Sequence, residues 1–165
     1  MESVRVPVRY LPRNLTRKDK KNQIRMLLKS RNLYKRHKYY TRKQLPSYKN
    51  KPSNHIVTAR KMYGIDKITP SKELSRKTGC STSALQQIVA KGKGAYFSSG
   101  SRPNQTPESW GLARLASSIT AGKSAAVDYN ILEKGCNHSK KAFILAKKAR
   151  KQYKFGRSKT RKTGL

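Results

Sequence analysis

Residues 69–92 read TPSKELSRKTGCSTSALQQIVAKG, and their punctuation sets the fold class. Thr69 offers an N-cap oxygen and Pro70 a first helical residue, where a missing N–H is no loss. Leu74 is the apolar face of this short helix, and Gly79 stops it. Ser81 or Thr82 starts a second helix, with Leu85, Ile88 and Val89 turned inward and Gly92 as its stop. The pattern resembles a helix-turn-helix. Ser75 is the small residue where the helices cross, Gly79 takes the position that tolerates positive φ, and Leu85 and Ile88 close on the first helix. Cys80 fills a turn position that favours a small hydrophobe. The outward face of the second helix then shows Ser83, Gln86, Gln87 and Lys91, candidate DNA-reading residues, because glutamine can pair with an adenine edge in a major groove. A plain two-helix corner in a small core has the same signature.

Working outward, the next helix is the clearest of the chain. Thr106 and Pro107 start it, Leu112, Leu115, Ala116 and Ile119 fall at i, i+3, i+4 and i+7, and Gly122 ends it. Asp128 caps a short turn through Ile131 and Leu132 to Gly135. Asn137 caps a last helix to about Tyr153, lined by Ala142, Leu145, Ala146 and Ala149. Upstream, Thr16 caps a helix over 17–33 with Ile24, Leu27 and Leu28 on one face. Residues 34–53, rich in Tyr and Lys with Pro46 and Pro52, read as an irregular basic linker before a helix from Asn54 to Tyr63 stopped by Gly64. Val4, Val6 and Val8 alternate with arginines, and Pro7 makes that stretch an edge strand or strap. The class is all-α: a small helical core with a helix-turn-helix-like corner. Leu74, Leu85, Ile88, Trp110, Leu112, Leu115, Ile119 and Leu132 are its expected interior.

Charge divides the 165 residues further. Forty Lys and Arg oppose seven Asp and Glu, a net +33. Residues 63–136 carry only +5 and the flanks +28. This reads as an extended N-terminal arm (1–15), a basic helical region and linker (16–62), a near-neutral helical core (63–136) and a basic C-terminal helix and tail (137–165). The arms are expected to be extended, with few contacts to the core, and ordered by neighbouring chains. Such a chain repels itself unless an anion lies against it, which argues against a freestanding enzyme. No apolar stretch follows a basic start, so no signal peptide is expected, and no run is long enough to span a membrane. Two cysteines 56 apart make no disulfide framework and no metal cluster, and read as buried thiols.

Catalytic chemistry has little support. His37, His55 and His138 are isolated, and no serine sits in a nucleophile elbow. Gly122-Lys123-Ser124 echoes the end of a phosphate-binding loop, but the required earlier glycine is Ser117, inside a helix, so nucleotide hydrolysis is rejected. No cofactor, metal or small-molecule substrate is expected. The Ser/Gly loop 94–105 with Trp110 after it reads either as a nest of amides and hydroxyls for an anion, or as a fixed loop whose Tyr96, Phe97 and Trp110 complete a small core. Candidate anion- or partner-binding residues are Arg17, Lys18, Lys21, Arg25, Arg102, Lys140, Lys141, Lys147, Lys148 and Lys151.

The stretch KGKGAYFSSGSRPNQTPESWGLARLASSITAGKSAAVDYNILEKGC, Lys91–Cys136, resembles a small basic domain family of unknown function from large DNA viruses of algae and amoebae. SSGSRPNQT and ARLAS are its most specific parts, and the likeness extends upstream through 11–63 and the Gly79 corner. The resemblance implies a virion structural protein, a minor capsid component of a chlorovirus-like particle. With its basic arms it is expected on the inner face of the capsid, cross-linking capsid subunits or bridging the shell to an anionic surface. Its partners would be the major and other minor capsid proteins and an anionic surface: nucleic acid, acidic protein or lipid headgroups. The alternative is a nucleic-acid-binding protein for DNA packaging or of helix-turn-helix type. A ribosomal-like RNA-binding protein fits the charge equally well.

Overall fold

The computed structural model describes residues 4–165, so the first three residues of the expected N-terminal arm lie outside it. The fold is all-α. Among the described residues there are eight α-helices: α1 (Arg17–Lys35), α2 (Asn54–Tyr63), α3 (Lys72–Thr78), α4 (Thr82–Ser98), α5 (Pro107–Ser118), α6 (Lys123–Val127), α7 (Tyr129–Gly135) and α8 (Lys141–Gln152). Two three-residue strands, β1 (Arg5–Pro7) and β2 (Lys162–Gly164), pair antiparallel with Val6 opposite Thr163. The chain forms two compact units: residues 1–51, 93–110 and 159–165, and residues 52–92 and 111–158. These divisions differ from those drawn by charge, because charge marks only the solvated faces of helices whose other faces are apolar.

In the first unit the two terminal segments are not free arms. Val8 N–H donates to Arg161 O and Leu165 N–H to Val4 O, extending the ladder. The alternation works as a strand: Val6 is buried while Arg5 is exposed. Val6, Tyr10 and Leu27 form one apolar cluster, with Val4, Trp110 and Leu165 packed on it. Trp110 thus belongs here, edge-on to Tyr10 at 5.9 Å between centroids, and not in the core with Leu74 and Leu85. Helix α1 is capped by Thr16, whose hydroxyl accepts from Asp19 N–H. Its inward face is Gln23, Met26, Leu27 and Ser30, rotated from the expected Ile24–Leu28 stripe, both of which are half-buried. Asp19 accepts from the Ser47 hydroxyl and backbone N–H, which hold its carboxyl below the usual range.

The expected linker 34–53 is pinned by polar side chains. Arg42, 7% exposed, stacks at 3.8 Å on the Tyr96 ring. Its guanidinium donates to Ser30 Oγ, Tyr96 O and Ser101 Oγ at 2.7–2.9 Å, and its own N–H donates to the Tyr96 hydroxyl. Asn104, in the left-handed region at φ 62°, accepts from Leu45 N–H and donates to the Leu45 and Tyr48 carbonyls. The loop after α4 is therefore a set of hydrogen-bonding groups that fixes residues 42–48.

The second unit holds the larger core. Leu74, Leu85, Ile88, Leu115, Ile119 and Leu132 are fully buried in it, and Leu112 is partly buried against it. Each fully buried side chain of this size stabilises the fold by about 1.5–3 kcal/mol. Tyr63 donates its hydroxyl to Ile119 O, and burial pushes that phenol upward. On α8 the buried line is Ala142, Phe143, Ala146 and Ala149, with Leu145 only half-buried. Helix α4 does not stop at Gly92. A Cβ at Gly92 would lie 2.6 Å from the Gly111 Cα, so this glycine serves a close crossing of α4 and α5. Helix α5 has the expected Thr106 cap, with Thr106 and Ser109 exchanging hydroxyl-to-backbone bonds. It ends before Gly122, where Ala121 takes a left-handed φ of 62°.

Arg42→Lys tests the buried network. A lysine lacks the planar fork and cannot stack equivalently, leaving hydroxyl and carbonyl acceptors unmet in a buried site. Urea unfolding is expected to show a loss of about 2–3 kcal/mol. An unchanged midpoint would mean that Arg42 does not hold residues 42–48 in place.

Candidate nucleic-acid interface

The corner forms in the second unit. Ser71, two residues beyond the expected cap, accepts from Leu74 N–H to start α3. Gly79 ends it at φ 77°, in the left-handed region an L side chain rarely adopts. Ser75 donates its hydroxyl to Cys80 O, and Thr78 Oγ1 donates to Leu74 O and accepts from Cys80 N–H. Ser81 caps α4 by accepting from Ala84 N–H.

The turn is also tied to the junction of α7 and α8. Asn137 N–H donates to Gly79 O and Ser81 N–H to Gly135 O, both at 2.7 Å. Between these bonds Cys80 and Cys136 are joined in a disulfide, which corrects the reading of two free buried thiols. Separation in sequence carried no sign of the pairing; the antiparallel bridge between the two turns brings the side chains together. Lys140, just before α8, packs so closely that a Cβ on Gly79 would meet its Cβ at 2.5 Å. The exposed Lys140 thus stands at the tip of the corner.

Of the four candidate reading residues, Ser83, Gln86 and Gln87 are exposed on α4, as is Lys91. Gln87 donates its amide to Ser83 Oγ at 3.3 Å. Lys91 is paired at 3.5 Å with Asp128. Asp128, its side chain fully buried, also takes both Nε and Nη2 of Arg114 at 2.7 Å. Asp128 makes no side-chain cap to α7, contrary to the expectation. With so few carboxylates available, a buried one must hold cations.

Lys140, Lys141, Lys147, Lys148 and Lys151 are all exposed at and along α8 in the same unit. Lys147 lies over the Phe143 ring at 5.4 Å and Lys141 over Tyr63 at 5.9 Å. Arg17, Lys18, Lys21 and Arg25 are exposed on α1, and Arg102 in the loop after α4; these belong to the first unit. The division into units therefore separates the α1 set from the corner set. His138 donates Nε2 to Glu133 O and stacks on Phe143 at 4.0 Å. Lys123 donates to Ser158 O, and Gly122 N–H to Ser117 O. Neither arrangement makes a catalytic pair or a phosphate loop.

The chain belongs to a family of unknown function, DUF5824, whose model matches residues 7–131. No curated protein and no solved structure matches it.

The disulfide that ties the corner to α8 closes a loop of 56 residues. Cys80→Ser, or reduction, is expected to lower unfolding stability by about 2–4 kcal/mol, measured by urea titration with and without reductant. Thiol titration of the denatured, unreduced chain should find no reactive cysteine; two reactive thiols would rule the bond out.

Proposed function

We propose that this DUF5824 chain is a nucleic-acid-binding protein that sets its α3–α4 corner and the start of α8 against duplex DNA without reading sequence. The observation that carries the proposal is the exposure of Ser83, Gln86 and Gln87 on α4 in the same unit as the exposed Lys140, which packs on the Gly79 turn that leads into α4. Phosphate contacts position a protein on a duplex and base contacts specify the site. Here the positioning charges are plentiful, while of the candidate reading residues Lys91 is paired with Asp128 and Gln87 donates to its neighbour Ser83, which leaves Gln86 on the exposed face. Counterion release then supplies most of the affinity, so binding falls steeply with salt.

A second reading, a minor capsid component on the inner face of a virion, rests on the resemblance of Lys91–Cys136. It called for free basic arms reaching into neighbouring chains. The pairing of β1 with β2 and the burial of Val6 and Tyr10 tie the terminal segments to their own unit, and for that reason we put the nucleic-acid reading first. In a particle, the packaged genome would serve as the same polyanion.

Titration of two unrelated duplexes at matched salt separates these ideas. The expected result is equal affinity for both, unaffected by Gln86→Ala with Gln87→Ala. Lys140→Gln with Lys141→Gln should weaken binding uniformly and reduce the salt slope by about 1 per lost phosphate contact. A tenfold preference for one duplex, lost in the glutamine double variant, would make the corner a sequence reader. No binding to either duplex near physiological salt would overturn the proposal.

A further inference from the structure

Outside the corner, the most unusual backbone of the second unit follows α8. Lys154 and Phe155 both take left-handed φ, 50° and 59°, and Gly156 follows at 84°. Positive φ is rare for a bulky residue and marks strain or a functional turn. The segment is held firmly: Gly156 N–H and Ser158 N–H both donate to Tyr153 O, Arg157 N–H donates to Lys154 O, and Lys123 Nζ donates to Ser158 O. Gly156 lies against the Val127 backbone of α6.

This effort does not bury the phenylalanine. Phe155 is 54% exposed, and the neighbouring Val127 is also exposed. Arg150 extends over the Phe155 ring at 4.8 Å and over Tyr129 at 4.3 Å. Lys151, Lys154 and Arg157, all within four residues of Phe155 in sequence, are exposed, and no Asp or Glu follows Glu133 in the chain. An ordinary fold would turn this ring inward; here a pinned turn presents it among cations.

We infer that Phe155, with Arg150, Lys151, Lys154 and Arg157, is a stacking platform for one base of a single-stranded nucleic acid. A base offers an apolar face to the ring while its flanking phosphates meet the cations, and a nucleic-acid strand provides both at the required spacing. An acidic protein would satisfy the charges but has no need of the ring, and duplex DNA keeps its base faces inside its own stack. The platform does not depend on the corner, so either site can fail without the other.

Anisotropy titrations with the full chain and a labelled oligothymidylate of about 15 nucleotides test it, with an oligouridylate in parallel to distinguish DNA from RNA. Phe155→Ala is expected to weaken oligothymidylate binding about fivefold or more, leave the salt slope unchanged because the phosphate contacts remain, and leave duplex affinity unchanged. Phe155→Trp should keep the affinity, and its added fluorescence, above that of Trp110, should be quenched by the strand. The thermal midpoint of both variants should match the parent, since the ring is half-exposed. Equal single-strand affinity in the alanine variant would overturn the platform, as would an equal loss on duplex. Concentration-dependent self-association that Phe155→Ala abolishes would also overturn it, and would mark the ring as a contact between proteins.

Discussion

Seven carboxylates among forty cations leave this protein short of partners for its own charges. Most folded domains hold a buried cation with a carboxylate. Here the scarce Asp128 takes two cations, Arg114 and Lys91. Elsewhere the interior uses neutral groups. Arg42 is buried among serine hydroxyls, a carbonyl and the Tyr96 ring, and burial lowers its affinity for a proton. Nearer the surface, the half-buried Arg150 lies against Tyr129 and Phe155, and the exposed Lys29 over Tyr40. Aromatic rings take the place of acids because a ring face attracts a cation without adding a charge that must itself be desolvated.

This substitution explains why the tyrosines sit where they do. In sequence, tyrosines such as Tyr10, Tyr40 and Tyr96 stand near Lys and Arg, an interleaving that a strand-stacking surface would also show. In the fold several are instead internal: Tyr96 is fully buried, Tyr10 closes the Val6 cluster, and Tyr40 packs near Met26 and Leu45. Two rings stay largely exposed within wholly basic segments: Tyr39, which meets the Tyr34 and Phe97 rings, and Phe155, set on the left-handed turn after α8.

The legible parts of the sequence were those where a local rule acts unopposed. Helix α5 and the α3–α4 turn follow caps, glycine and 3.6-residue spacing, and six of the eight expected core residues are fully buried together. The misread parts depend on contacts distant in sequence. Gly92 looked like a stop, but its role is set by Gly111, nineteen residues on. The terminal segments looked like arms because their charges are dense, yet their alternation hides Val6 on one face, and the partner strand is 157 residues away. The disulfide, the Asp128 cluster and the Arg42 network share that character. Each candidate cation in the site was legible as exposed; which of them share a unit was not.

The same shortage links stability to binding. Self-repulsion of +33 opposes the compact state in the absence of a partner, and no internal carboxylate supply can relieve it. A polyanion that engages the native surface removes repulsion and releases counterions at once, so its binding adds to folding stability by mass action. The buried Arg42 is already satisfied by hydroxyls, a carbonyl and a ring, and therefore does not compete for that polyanion. What remains for it is the exposed set on α1, at the corner and along α8. Of the six described acids only Asp19 and Asp128 are buried, and the four exposed ones, Asp66, Glu73, Glu108 and Glu133, are far outnumbered by surface cations; on the proposed reading such a surface favours binding that tracks phosphate density and gives sequence little influence.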